Sequence, residues 1–171
     1  MSEAKRFYGK YRGTVINNVD PLQTGRIIVQ VPDVLGLNIS SWAMPCFPVG
    51  GVQSGSFAVP QIGTGVWVEF EQGNPDYPIW TGCYYKTAAE VPALALAAPP
   101  GVDNMVMQTT GQNSFMINDT PGPTGGILLK TTTGAMISIN DVGITISNGK
   151  GASILMSGPS VTVNGGALVV T

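Results

Sequence analysis

The 171-residue chain contains no histidine. That removes the commonest general base, proton shuttle and metal ligand, and with them any histidine-based nucleophilic triad. Charge is scarce: 8 Lys+Arg stand against 10 Asp+Glu, a net charge of −2. So few cations make nucleic acid a poor partner, because that affinity rests on neutralised phosphates. So little charge also does little to hold copies of the chain apart. Two cysteines, Cys46 and Cys83, are too few for a usual structural zinc site without histidine. They are expected as free, buried thiols, with a mutual disulfide as the alternative. No stretch approaches the length of a membrane-crossing helix. Met1 to Arg6 lacks the apolar run of a signal peptide, which points to assembly in a cytoplasm. No metal and no cofactor are expected.

What is abundant is glycine, 23 residues, and proline, 13, set among β-branched residues. From Met105 onward apolar residues recur in pairs at i and i+2: Met105/Met107, Phe115/Ile117, Ile127/Leu129, Ile137/Ile139, Ile144/Ile146, Ile154/Met156, Val161/Val163 and Leu168/Val170. From Ile127 the pairs start 10, 7, 10, 7 and 7 residues apart, with Gly, Asn, Asp, Ser and Thr between them. Period-two alternation means strands, and turn residues at each break mean short strands that reverse often. Each strand offers about two inward side chains, so one copy makes a ribbon and not a core. Winding the ribbon with identical copies around a shared axis buries it. The expectation is an intertwined trimeric β-helix with Ile127, Leu129, Ile137, Ile139, Ile144, Ile146, Ile154, Met156, Val161 and Val163 at the axis. Ser138, Thr145 and Thr162 then face outward. A single-chain solenoid with a 17-residue advance (127 to 144, 137 to 154, 144 to 161) is the rival, but its coil would be nearly hollow.

Residues 1–88 hold all three Trp and all five Tyr. Segments at Tyr11–Ile16, Arg26–Val31, Ser41–Pro45, Gly65–Glu71 and Ile79–Tyr85 read as five strands separated by turns rich in Asn, Asp, Pro and Gly. In Gly65–Glu71, Val66, Val68 and Phe70 fall on one face and Trp67, Glu69 and Glu71 on the other. Five strands without a long helix suit an OB-type barrel, and an SH3-like barrel satisfies the same count. Residues 89–102, rich in Ala and Pro, read as an extended linker in which Pro92, Pro99 and Pro100 limit any helix to a turn or two. The fold class is therefore all-β: an N-terminal five-stranded OB-fold barrel over 1–88, a linker over 89–102 and the β-helix over 103–171.

Candidate chemistry is thin. Glu69, Glu71 and Asp76 read as charge on an exposed strand edge that discourages edge pairing. Asn148-Gly-Lys-Gly-Ala lacks the following helix of a phosphate loop and reads as a turn. The barrel's aromatics lack a basic groove, since residues 1–88 carry six acids and six bases.

Two runs carry a resemblance. Gly13-Thr-Val-Ile-Asn-Asn-Val-Asp-Pro-Leu-Gln-Thr-Gly-Arg-Ile-Ile-Val-Gln-Val-Pro resembles the first hairpin of the OB domain of contractile-tail spike proteins. Ile62-Gly-Thr-Gly-Val-Trp-Val-Glu-Phe-Glu-Gln-Gly-Asn-Pro-Asp-Tyr-Pro-Ile-Trp-Thr-Gly is similar to a later part of the same domain. That family includes phage baseplate assembly protein V and the VgrG spikes of type VI secretion. The resemblance implies a non-enzymatic homotrimer, part of a phage tail or injection-system baseplate, that meets a target membrane only transiently. It implies an OB collar on a tube-end hub, with Phe7, Tyr8 and Tyr11 and the 49–56 loop as hub contacts. It also implies a separate PAAR-type tip protein at Leu168, Val169, Val170 and Thr171. Two departures stand out: there is no room for a wall-cleaving domain, and no histidine for a metal-bound tip. The second reading is an OB adaptor module that carries a ligand or cargo; an enzyme fragment is the third.

Overall fold

Period-two alternation becomes strand in the computed structural model, which describes residues 5–170, the side chains of 169 and 170 excepted. Two units result, Met1–Ala88 and Ala89–Thr171.

The first unit is built on strands β1 (Tyr11–Asn17), β2 (Ile28–Gln30), β3 (Met44–Pro45), β4 (Gly50–Gly51), β5 (Ser54–Gly55), β6 (Gly65–Phe70) and β7 (Pro78–Tyr84). Five of them form one sheet in the order β2-β1-β6-β7-β3, with β3 parallel to β7 and the other pairs antiparallel. Closure comes from the chain after β2. Ile39 and Ala43 bridge back to Gln30 and Ile27, and the Cys46 amide donates to the Trp80 carbonyl at 3.0 Å. Residues 39–46 thus join β2 to β7 and curl the sheet into a barrel. The third strand expected at Ser41–Pro45 is regular only at Met44–Pro45, because its first half pairs through isolated bridges. Inside lie Val15, Ile27, Val29, Val31, Ala43, Val66, Val68, Phe70 and Trp80. The Trp80 indole N–H donates to the Gly25 carbonyl at 3.1 Å, so its one polar atom is satisfied in the core. Val66, Val68 and Phe70 point inward from β6, as the alternation requires.

The β1–β2 loop is held by one carboxylate. Asp20 is buried and accepts from the Leu22, Thr24 and Arg26 amides at 3.0, 2.9 and 3.2 Å. It also accepts from the Thr24 hydroxyl at 2.9 Å and from Arg26 Nε and Nη2 at 3.1 and 2.7 Å. The Arg26 guanidinium, followed by the backbone and hydroxyl donors, holds its carboxyl well below the usual carboxylate range, against the opposing effect of burial. A depressed folded-state pKa gives stability that is present above the unfolded carboxyl's pKa and lost as pH falls through the folded one. Asp20→Asn is therefore expected to lower the melting temperature at pH 7. It should also flatten the loss of stability on acidification from about pH 5 downward. Differential scanning fluorimetry across pH reads both; an unchanged acid limb would show that Asp20 is not the group lost.

The second unit is a meander. Strands β8 (Asn104–Gln108), β9 (Ser114–Asn118), β10 (Gly126–Lys130), β11 (Met136–Asn140), β12 (Gly143–Ser147), β13 (Ser153–Ser157), β14 (Ser160–Val163) and β15 (Leu168–Val170) lie side by side in chain order. All neighbours are antiparallel. The solenoid would stack β10 on β12; here β11 lies between them, so no coil closes within one chain. The Ala/Pro stretch differs from an extended linker. After Pro92 it makes a 3₁₀ turn at Ala93–Leu96, whose Leu94 and Ala95 carbonyls accept from the Asn104 amide at 2.8 and 3.2 Å. The side chain at the head of β8 thus satisfies carbonyls that an extended chain would leave to water.

Candidate assembly surface

Register decides which side chains share a face. Ile127 stands opposite Ile117 and Ile139, and Leu129 opposite Phe115 and Ile137. Ile137 pairs with Ile146 and Ile139 with Ile144; Ile146 pairs with Ile154 and Ile144 with Met156. Ile154 and Met156 continue to Val163 and Val161. At the other end Met105 and Met107 stand opposite Ile117 and Phe115. The ten expected axis residues therefore form two unbroken rows on one face, extended by Met105, Met107, Phe115 and Ile117. Direct cross-strand neighbours have Cβ atoms about 5 Å apart, so each row is a continuous apolar ridge.

Among the described residues much of this face stays open to solvent. Ile137, Ile146 and Ile154 are 39, 41 and 39% exposed, and Leu129 is 46% exposed. For isoleucines in the middle strands of an eight-stranded sheet, such exposure is a large contiguous apolar patch, the mark of an interaction surface. Along the opposite face Ser138, Thr145 and Thr162 sit in one row, as expected, together with Val106, Met116, Leu128 and Leu155. Its apolar start is partly roofed by the chain itself. Leu94 and Ala97 border a cavity of about 410 Å³ with Met116, Leu128 and Met136. The two faces thus differ: one is partly roofed by Leu94 and Ala97, while the apolar rows of the other stay largely open among the described residues.

At the last strand, Val163 stands opposite Leu168, whose side chain is 57% exposed. The side chains of Val169 and Val170, and all of Thr171, lie outside the described residues. The three N-terminal aromatics are not equivalent. Phe7 packs on Tyr11 and Phe70 with ring centroids 6.2 and 6.3 Å apart, and its amide donates to the Gly73 carbonyl at 2.8 Å. Tyr11 also reaches Phe70, at 5.7 Å, whereas Tyr8 is open to solvent. The 49–56 loop is the β4–β5 hairpin, with Val49 and Val52 exposed.

The other candidate groups stay apart. Glu69 is engaged by Lys10 at 2.7 Å, in the exposed ion pair of a strand face. Among the described residues no three His, Cys, Asp or Glu side chains gather in a metal-binding group. Cys46 and Cys83 are free but exposed, not buried: Cys46 lies just after β3, and Cys83 lies in β7 outside the buried core. Desolvation pushes the Cys83 thiol above its ordinary pKa, away from the reactive thiolate. Sequence reasoning read the Ala93–Leu96 turn as extended linker, and the i, i+3 spacing of Leu94 and Ala97, which border the cavity together, is the signal that could have found it.

Known proteins share both units. Residues 11–85 match the family model of the type VI secretion system/phage-baseplate injector OB domain, which decides for OB over SH3-like. Residues 104–169 match the phage baseplate V C-terminal trimerisation domain. The chain is also similar to the type VI secretion system spike protein VgrG5 of Pseudomonas aeruginosa, 40% identical over 74 residues. That match covers 41% of this chain and 9% of the relative, so the chain spans only a small part of the relative's length.

Proposed function

Because the chain belongs to the phage-baseplate and type VI secretion spike family, we propose that it is the central spike of a contractile injection machine. Three copies turn their apolar faces to a common axis and wind into a rod. The OB barrels form a collar on the tube-end hub, contacted through Tyr8 with Phe7 and Tyr11 packed behind it. The end of the rod, Leu168 to Thr171, meets a PAAR-type tip protein. Sheath contraction then drives the assembly through the target envelope, and the part works by stiffness. The spike assembles in the cytoplasm before joining the tail or baseplate.

The observation that carries this reading is the pair of unbroken apolar rows from Met105 to Val163, left largely open among the described residues. The exposed part of such a ridge is costly in water at about 25 cal/mol per Å², and a shared axis removes it. Intertwined chains separate only by unwinding, so the rod is kinetically stable. Light scattering behind size exclusion is expected to give the mass of three chains of 17.8 kDa. The same species should survive SDS without boiling. A single-chain mass would instead favour an OB adaptor module.

A further inference from the structure

The ribbon carries five charged side chains: Asp103, Asp119, Lys130, Asp141 and Lys150. The meander sorts them by sign. Asp103 precedes β8, Asp119 follows β9 and Asp141 sits in the β11–β12 turn, all on one long edge; the Asp119 amide donates to the Asp103 carbonyl at 3.0 Å. Lys130 ends β10 and Lys150 lies in the β12–β13 turn, both on the other edge. All five are exposed. The ion pairs Lys10–Glu69 and Arg26–Asp20 lie in the first unit. Among the described residues the ribbon's five charges make no ion pair.

The edges are built, not loose. On the acidic edge the Gly122 backbone amide donates to Asp141 Oδ2 at 2.7 Å, and Asn140 Nδ2 donates to the Pro123 carbonyl at 3.2 Å. On the basic edge the Thr132 amide donates to Asn113 Oδ1 at 3.2 Å, and the Ser153 amide to Asn164 Oδ1 at 3.0 Å. Successive turns are thereby tied into two rims that hold their charges at fixed heights. Asp119 directly follows β9 while Lys130 ends β10; Asp141 directly follows β11 while Lys150 follows β12. In each case the lysine stands about one strand, roughly 4.8 Å, further along the ribbon. One stagger brings both lysines level with both aspartates.

Three ribbons that turn one face to a common axis meet edge to edge, the basic rim of one against the acidic rim of the next. We propose that these rims form a chain-to-chain ionic seam, in which Lys130 and Lys150 of one copy engage Asp119 and Asp141 of its neighbour. This rests on the trimer reading above and adds what the apolar rows lack: the rows repeat nearly uniformly, so they tolerate slippage along the axis, whereas the charges fix one stagger.

The test uses the full chain in three variants. Lys130→Glu with Lys150→Glu makes both rims acidic, and Asp119→Lys with Asp141→Lys makes both basic. The third variant carries all four changes and restores opposite rims with the signs exchanged. At low ionic strength each double variant is expected to lose its SDS-resistant trimer about tenfold faster or more, with the difference shrinking in 1 M salt. The fourfold variant should recover most of the wild-type lifetime. Wild-type lifetimes in both double variants would overturn the seam while leaving the trimer standing, as would a fourfold variant no better than the doubles. A wild-type chain that is itself monomeric would overturn both.

Discussion

Ile146→Asp is expected to yield a single chain where the wild type gives three, while Thr145→Asp assembles normally. The two positions are adjacent, and β12 places them on opposite faces: Ile146 stands between Ile137 and Ile154, Thr145 between Ser138 and Leu155. In the trimer, three aspartates at one axial level would face each other without water or a counter-charge, since neither apolar row supplies a cation. Each loses the burial of an isoleucine side chain, about 2–3 kcal/mol, and adds several kcal/mol of unpaired desolvation. Summed over three chains the change exceeds roughly 10 kcal/mol, enough to abolish assembly at micromolar concentration. Thr145→Asp adds a charge to the mixed outer row, beside Ser138, and should cost within about 0.5 kcal/mol. Light scattering of both proteins at matched concentration decides it. Equal trimer yields would place the axis on the other face, and a monomer from both would mean that the ribbon itself fails to form.

The pattern that licenses this experiment was legible in the chain because strands of five residues joined by short turns leave register little freedom. Each pair Ile127/Leu129, Ile137/Ile139 and Ile144/Ile146 can meet the next only by antiparallel return, and a slip by one residue would flip it to the Ser/Thr face. Val66, Val68 and Phe70 were legible for the same reason. Closure of the barrel was not. It depends on Ile39 and Ala43 bridging to β2, with a two-residue parallel pair at Met44–Pro45, and bridges that brief leave no alternation to read. The Ala93–Leu96 turn was hidden behind prolines that suggest extended chain, although Asn104, ten residues after Leu94, supplies its hydrogen bonds. Segregation of charge needed the topology first. Under a solenoid Lys130 and Asp141 would follow one another along a coil, whereas alternate turns of a meander fall on alternate edges. Exposure of both cysteines follows from the same limit, since neighbouring apolar residues in sequence do not say which positions the barrel's curl buries.

Gly143→Ala is expected to destabilise the ribbon strongly, and Gly111→Ala hardly at all. Gly143 opens β12 opposite Asn140, across a turn in which Asn140 Oδ1 accepts from the Val142 amide at 2.9 Å. Its φ of +148° lies where side chains rarely go, and a Cβ there would overlap the carbonyl oxygen of Met156 on β13. The obstacle is backbone in the middle of the sheet, not the movable end of a side chain, so relief requires β12 and β13 to part. Strain and displacement together cost roughly 3 kcal/mol per chain, and a trimer carries the cost three times. At Gly111 the nearest atom to an added Cβ is Asn113 Nδ2 at 3.7 Å, ordinary contact within a turn. Thermal denaturation of the two variants, read by loss of SDS-resistant oligomer, should separate them by far more than any difference in helix or strand propensity, which spans about 1 kcal/mol. Close similarity between them would mean that β12 and β13 spread apart on winding, and that the flat register of the single chain is not the register of the rod.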